Sequence, residues 1–258
     1  MERNRQIAAI AESEEERMLL VRVCDRIERA VQRNTAAATA FLSQREQALV
    51  KLLLPECRFF GGTAGAERKV AFWLPDYLVE EDYFADGPIA CLRATFYEAN
   101  ALTHRDILGA LMGAGIRRDA VGDICLRETD CDIFILAELE RYLLDNLTDA
   151  GRQRLRLAPI PLSEARKEPQ KMKELRVTVS SARLDGVISA AFRLSRGGAA
   201  EAIRAGKAQI NSLTCLKPDR TVAVGDEISV RGCGKGKILR EDGETRKGRL
   251  ALTVGIYC

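Results

Sequence analysis

The sequence predicts an α+β protein with an N-terminal helical segment, an alternating helix-and-strand middle domain and a basic C-terminal module. Apolar residues recur at helical spacing up to about residue 55, elements alternate in the order β-α-β-β-α-β between residues 59 and 162, and positive charge is concentrated after residue 170. A polar stretch with one proline separates the last two parts. The expected boundaries are 1–58 for the helical region, 59–162 for the middle domain, 163–173 for the linker and 174–258 for the C-terminal module.

The N-terminal region is expected to be helical over its first 55 residues, with an interruption at Asn34-Thr35. Residues 20–31 place apolar side chains every three or four positions, which gives a single buried stripe. Ser43 and Glu46 have capping-box spacing, and Pro55 ends the following helix. The charged residues on the opposite faces are expected to be solvated, Arg22 and Arg26 among them.

The middle domain is expected to be ferredoxin-like, an arrangement that RNA-recognition modules share with many unrelated proteins. RNA-recognition sheets stack bases on aromatic residues of their central strands. Phe134 is the one aromatic residue on the corresponding strands, and it lies in a run with the apolar density of a core. Base stacking on this sheet is therefore disfavoured. The expected strands are 89–96, 122–127, 131–136 and 154–160, and the expected helices are 104–112 and 138–146.

Charge is distributed unevenly along the 258 residues, although the net charge is only +3. Residues 171–258 contain 17 Lys and Arg against 9 Asp and Glu, a net charge of +8, so residues 1–170 carry −5. This asymmetry is typical of a nucleic-acid-binding module in the C-terminal third. The charged N-terminus does not resemble a secretory signal, and no apolar run approaches the ~20 residues of a membrane span. We therefore expect a cytoplasmic protein with no membrane partner.

The eight cysteines contain no C-x-x-C pair, and most lie inside apolar runs, which predicts reduced core thiols. A zinc site requires three or four clustered ligands, and the chain has one histidine. There is no P-loop, and Gly61-Gly62 is too weak a signal for one. We expect neither a metal nor a cofactor.

The C-terminal module is expected to contain two short helices, the second starting after Ser195 and closed by Gly206. The N-terminus of that helix offers free N–H groups to phosphate, and Gly197 and Gly198 leave its first turn open. The module has two aromatic residues, too few for a single-strand stacking platform, so we expect it to bind the shape and backbone of structured RNA. The candidate contact residues are Arg183, Arg193, Ser195, Arg196, Arg204, Lys207, Asn211 and Lys217.

This module resembles the S4 (α-L) RNA-binding domain. The resemblance rests on an ordered series of motifs across residues 183–230, namely R-L-D, S-R-x-x-A, G-x-x-x-I-N, K-P and V-x-x-G-D-x-I-x-V. Two positions depart from the pattern. Ser212 follows Asn211 where glycine is usual, and Gly197-Gly198 stand where many S4 domains carry polar or basic side chains.

Nearly the whole chain resembles the bacterial YlmH family, which has an RNA-recognition-like middle domain and a C-terminal S4 domain. The motifs that carry the resemblance are FLSQREQ from Phe41, FGG from Phe60, AER from Ala66, HRDILGALM from His104, GIRR from Gly115, VGDI from Val121 and GETRKGR from Gly243. The resemblance implies binding to the large ribosomal subunit that carries stalled peptidyl-tRNA, with 23S rRNA and tRNA on the 50S subunit as partners. It also implies an association with cell-division gene clusters. Secondary RNA-contact candidates within the motifs are Arg45, Arg68, His104, Arg105, Arg117 and Arg118.

Other interpretations remain open, namely an RNA-modifying enzyme, a hydrolase and an adaptor that binds a protein. An S4-containing pseudouridine synthase would use an R-L-D aspartate, here Asp185, as nucleophile, and an rRNA methyltransferase would need a glycine-rich turn such as Gly232-x-Gly234-x-Gly236 before a helix. His104 would need a Ser or Cys partner for hydrolytic chemistry. A protein partner could bind the acidic N-terminal two-thirds. We expect a binding protein and not an enzyme.

Overall fold

The computed structural model describes residues 2–99, 101–166, 172–246 and 248–257. The chain divides into two compact units, Met1–Glu168 and Pro169–Cys258. Of the expected linker 163–173, residues 167–171 lie outside the described residues, Leu162–Glu164 form a 3₁₀ turn, and a strand begins at Met172. Within the described ranges, no helix is long and apolar enough to cross a membrane.

The first unit contains both helices and sheets. Its helices are α1 (Glu2–Ile10), α2 (Glu14–Arg33), α3 (Gln44–Leu53), α4 (Glu80–Ala85), α5 (His104–Gly113) and α6 (Glu140–Asn146). Its strands are β1 (Ala37–Leu42), β2 (Arg58–Phe60), β3 (Lys69–Trp73), β4 (Ile89–Thr95), β5 (Val121–Leu126), β6 (Asp130–Leu136), the short pair β7 (Asp149–Ala150) and β8 (Gln153–Arg154), and β9 (Arg156–Ile160). The mixed composition confirms the α+β class.

The expectation of an entirely helical N-terminal region is wrong at residues 37–42. The helices end and begin where the capping signals predicted, with Asn34 in the left-handed conformation and a complete capping box at Ser43 and Glu46. Between them, β1 pairs antiparallel with β3, which also pairs with β2. Pairing with a distant strand overrides the helical preference of the alanine-rich segment. The strands of this sheet come from both sides of the domain boundary that the sequence placed after residue 58.

The four-stranded sheet has the order β5-β6-β4-β9, with every pair antiparallel. This order, with α5 and α6 as the crossovers, is the β-α-β-β-α-β arrangement expected from the sequence. One face packs on α5 and α6 through a core that includes Leu92, Ile107, Ile133 and Leu143. The central strands β4 and β6 therefore carry apolar residues toward the helices.

The opposite face of this sheet is also covered. Phe134 is fully buried and packs in a core with Phe41, Phe72 and Cys91, so residues of the three-stranded sheet lie against it. Two glycines make this close approach possible. A Cβ on Gly122 would lie 2.6 Å from the Phe41 ring, and one on Gly62 would lie 2.4 Å from the Phe134 ring. The face on which RNA-recognition modules stack bases is thus occupied by the protein itself, as the apolar run around Phe134 indicated.

The elements of the second unit are β10 (Met172–Val179), α7 (Leu184–Phe192), α8 (Arg196–Arg204), β11 (Ala208–Ile210), β12 (Leu213–Thr214), β13 (Glu227–Val230), β14 (Gly234–Glu244) and β15 (Leu250–Tyr257). The strands form a six-stranded antiparallel sheet in the order β10-β15-β14-β13-β11-β12. The helix pair and the sheet share one core that includes Leu184, Ile188, Ile203 and Ile228. Gly232 lies in the turn between β13 and β14, and Gly234 is the first residue of β14, so a strand follows this turn and not a helix.

Candidate nucleic-acid interface

The two helices of the second unit are connected by a short turn that exposes the N-terminus of α8. Arg193 ends α7 in the left-handed conformation (φ 56°), and Ser195 caps α8 by accepting a hydrogen bond from the Gly198 amide at 3.0 Å. Nothing lies within 4 Å of a Cβ built on Gly197. The first turn of α8 is therefore open to an approaching anion, with Arg193 and Arg196 exposed on either side.

Asp185 holds two of the candidate arginines together. Its side chain is 7% exposed and accepts hydrogen bonds from Arg183 Nε and Nη2 at 3.2 and 2.9 Å, and Arg196 Nε lies 3.9 Å from the same carboxylate. The hydrogen bonds from Arg183 lower the pKa of Asp185, against the opposing effect of burial, so the carboxylate is ionised at neutral pH. Arg183 and Arg196 remain 41% and 61% exposed. Asp185 thus fixes the Arg183 guanidinium by hydrogen bonds and attracts the more distant Arg196 beside the start of α8.

The structure adds two cations that the sequence patterns did not single out. The Arg220 carbonyl accepts a hydrogen bond from the Leu184 amide at 2.8 Å, and the Arg231 amide donates to the Lys207 carbonyl at 2.9 Å. Both arginine side chains are exposed. Arg220 lies two residues after the K-P motif, and Arg231 directly follows the final valine of the series. Their closeness to these motifs is the sequence feature that could have identified them.

The other candidates of this unit fall into two groups. Arg204, Lys207 and Lys217 are exposed. Asn211 instead stabilises a turn, because its amide nitrogen donates to Asp226 at 2.8 Å and its oxygen accepts from the Glu227 amide at 2.9 Å. Ser195 has its hydroxyl engaged as the helix cap. The geometry gives Asn211 and Ser195 roles in positioning the backbone.

Three of the six secondary candidates are tied into the first unit. Arg45 pairs with Glu12 at 3.1 Å and with Glu16 at 2.5 Å. Arg68 donates to the carbonyls of Val121, Phe41 and Arg118 at 2.9, 3.0 and 3.4 Å. Arg118 donates to the Val121 carbonyl at 2.6 Å, and burial lowers the pKa of both Arg68 and Arg118. Arg68 and Arg118 thus hold the junction between the two sheets, and Arg45 ties α3 to Glu16 of α2.

The remaining secondary candidates are exposed. His104 and Arg105 begin α5, whose capping box is formed by Thr103 and Asp106, and Arg117 is paired with Asp119. Within the described residues, the His104 side chain makes no hydrogen bond to a serine or cysteine, so the arrangement needed to activate a nucleophile is missing there. His104 and Arg105 are neighbours on α5, and no described contact joins either of them to Arg117.

The features invoked by the rival enzyme classes have structural roles. Asp185 is buried and accepts hydrogen bonds from Arg183 and from the Gly186 amide, and Gly232 lies in a hairpin turn that leads into β14 at Gly234. Among the residues that the structure describes, no group of three His, Cys, Asp or Glu side chains could hold a metal ion. The described cysteines are free thiols, and burial raises the pKa of Cys91 and Cys131 to about 12.

Comparison with known proteins shows the family. A family model described as "Putative RNA-binding domain in YlmH" matches residues 96–164. The chain is 31% identical over 220 residues to the "Ribosome-associated protein quality control protein P2" of Bacillus subtilis (strain 168), covering 83% of this chain and 85% of that protein. The solved structure "Cell division protein ylmH from Streptococcus pneumoniae" shares the fold over 60% of this chain and 96% of its own, with a TM-score of 0.50 and 23% identity. The chain belongs to the YlmH family.

Proposed function

We propose that the protein binds structured RNA through phosphate contacts of its second unit, which acts as an S4-type domain. The observation that carries the proposal is the cluster of Arg183 and Arg196 around buried Asp185, beside the open first turn of α8. Guanidinium groups fixed in position lose little conformational freedom when they bind phosphate, and their planar forks match its oxygens.

The partner we propose is the large ribosomal subunit, with 23S rRNA and peptidyl-tRNA as the contacted molecules. This proposal is supported by the relative in Bacillus subtilis, which is named a ribosome-associated quality control protein, and by the basic charge of the second unit. The role is one of binding in the cytoplasm, without a catalytic step. Asp185, the aspartate that a pseudouridine synthase would use, is paired with Arg183, and Gly232 of the glycine-rich segment lies in a hairpin turn.

The test is cosedimentation with 50S particles over a range of salt concentrations. Replacing Arg196 with Glu removes a cation and places an anion beside the phosphate. We expect weaker binding and a log–log salt slope smaller in magnitude by about 0.7–0.9, the value for one phosphate contact. Folding should be preserved, because Arg196 is exposed and Arg183 continues to pair with Asp185, and a urea midpoint checks it.

The matched control is Arg141→Glu, an equally large charge change at an exposed arginine of α6. This variant should cosediment as the wild type does. A folded Arg196→Glu protein that binds 50S particles as strongly as the control would remove the second unit from consideration as the ribosome-binding element.

A further inference from the structure

Four arginines form a row on α2, in the unit whose net charge is negative. Arg22, Arg26, Arg29 and Arg33 are all exposed. Their spacing of four, three and four residues places them on one face of the helix. With a rise of 1.5 Å per residue, the row is about 16 Å long. The sequence pattern suggested only solvated charges at Arg22 and Arg26, because it does not show what lies beside them.

The acidic residues within the same stretch of α2 are already paired. Arg3 of α1 contacts Asp25 at 2.7 Å and also contacts Glu28. In the described part of the chain, no ion pair joins a carboxylate to any arginine of the row. Arg29 Nε donates to the Asp25 carbonyl oxygen at 2.8 Å, which fixes that side chain along the helix. The row therefore presents positive charge that is not paired with any carboxylate of the described residues.

The surface beside the row is concave. A depression of about 470 Å³ is lined by the four arginines together with Ala30, Thr35 and Ala37. No carboxylate and no large apolar side chain contributes to this lining. An adjoining groove of about 620 Å³ shares Arg22 and Arg26, and its aromatic residue, Phe41, is 1% exposed. Neither concavity presents an accessible ring on which a base could stack.

We propose that the α2 arginine row binds the phosphate backbone of RNA without base recognition. A line of four guanidinium groups matches an extended polyanion, and arginine binds phosphate oxygens with two parallel hydrogen bonds. Protein interfaces place apolar or aromatic anchors at their centre, and the depression contains only small side chains there. The charge pattern thus favours nucleic acid over an acidic protein. The inference rests on the proposed function only in taking RNA as the ligand class.

The test uses the full chain and a hairpin RNA in two sequences of equal length. The variant is the triple substitution R22Q/R26Q/R33Q, and the matched control is R5Q/R17Q/R141Q, which removes three exposed arginines outside the row. Fluorescence anisotropy over a salt series gives the log–log slope. We expect the triple variant to reduce the magnitude of the slope by about 2–3, with at least a tenfold loss of affinity at low salt, for both sequences. The control should match the wild type.

Three results would overturn the proposal. The first is a triple variant with an unchanged circular dichroism spectrum and urea midpoint that binds both hairpins as the wild type does. The second is a loss confined to one of the two sequences, because a backbone contact is indifferent to sequence. The third is unchanged RNA binding together with lost binding to polyglutamate, which would assign the row to an acidic protein.

The Arg196→Glu variant, measured in the same assay, separates this inference from the proposed function. If Arg196→Glu binds like the wild type while the triple variant binds weakly, the role of the second unit fails and the α2 surface stands. The reverse pattern removes only the α2 surface.

Discussion

The arginines of the second unit and those of the sheet junction in the first unit differ in what surrounds them. Arg183 and Arg196 contact one buried carboxylate at their edge and keep much of each guanidinium exposed. Arg68 and Arg118 instead donate to backbone carbonyls. The first arrangement leaves hydrogen-bonding capacity for a ligand, and the second uses that capacity for the fold. Arginines in family-like motifs therefore divide, according to their partners, into a group that stays exposed and a structural group.

Removing Asp132 should have the largest effect on stability. This fully buried carboxylate of β6 accepts from Arg93 at 2.7 and 2.9 Å and from Arg127 at 2.8 Å. Asp132→Ala removes the carboxylate that Arg93 and Arg127 share, leaving Arg127 paired with Asp130, and should lower the free energy of unfolding by about 3–5 kcal/mol. Urea denaturation measures the change. Asp145→Ala, which breaks an exposed pair with Arg141, should cost less than ~1 kcal/mol, and equal losses in the two variants would contradict the assignment.

Replacing Arg68 should separate stability from RNA binding. Arg68→Ala removes hydrogen bonds to three partly buried carbonyls and should cost about 2–3 kcal/mol. The affinity of the folded fraction for RNA should not change, whereas Arg196→Glu should weaken binding and preserve stability. Urea denaturation and anisotropy on both variants make the comparison. A loss of affinity in folded Arg68→Ala would show that the structural group also contacts RNA.

Acid should weaken the first unit through Asp132. Burial acts to raise the pKa of this carboxylate, but hydrogen bonds from Arg93 and Arg127 outweigh burial and lower the pKa to about 2. A depressed pKa stabilises the fold above the unfolded value near 3.9, and the stabilisation is lost as the pH falls toward 2. The loss should be roughly 2 kcal/mol. Unfolding free energies between pH 5 and 2 should fall less steeply in Asp132→Asn than in the wild type, and parallel curves would contradict this.

The smallest effect is expected at Ser212, in the turn between β11 and β12. Asn211 and Ser212 have φ of 49° and 65°, the conformation of a type I′ hairpin turn that favours Asn-Gly. Ser212→Gly should relieve strain and raise the unfolding free energy by about 0.5–1 kcal/mol. RNA affinity should be unchanged, because no candidate cation is altered. A thermal melt detects the shift, and a lower melting temperature would show that Ser212 makes a compensating contact.

The sequence predicted best those features that depend on neighbouring residues. The capping box at Ser43, the cap at Ser195 and the helix end at Gly206 are local signals, and the structure confirms each of them. The order of the middle sheet also followed from alternating patterns. Helix starts and turns require only a few adjacent side chains, so a single sequence contains the information.

Features set by distant contacts were not predictable in the same way. Strand β1 exists because β3 lies beside it, and its alanines favour a helix when considered alone. The burial of Arg68 depends on carbonyls more than 25 residues away in both directions. Asp185 lies in the first turn of α7, and its contact with Arg196 requires the two helices to be packed together. Pairing across the fold decides which charged residues remain available.

The two covered faces of the four-stranded sheet determine which fragments of this chain can exist on their own. A fragment of residues 96–164, the segment matched by the family model, would start just after β4, the strand that separates β6 from β9. It would also lack Phe41 and Phe72, leaving the Phe134 face of the sheet open to water. Such a fragment should aggregate through its unpaired edges and bare apolar surface. During synthesis, the core of the first 85 residues likewise stays incomplete until β4 and β6 have been made, because Cys91 and Phe134 belong to that core.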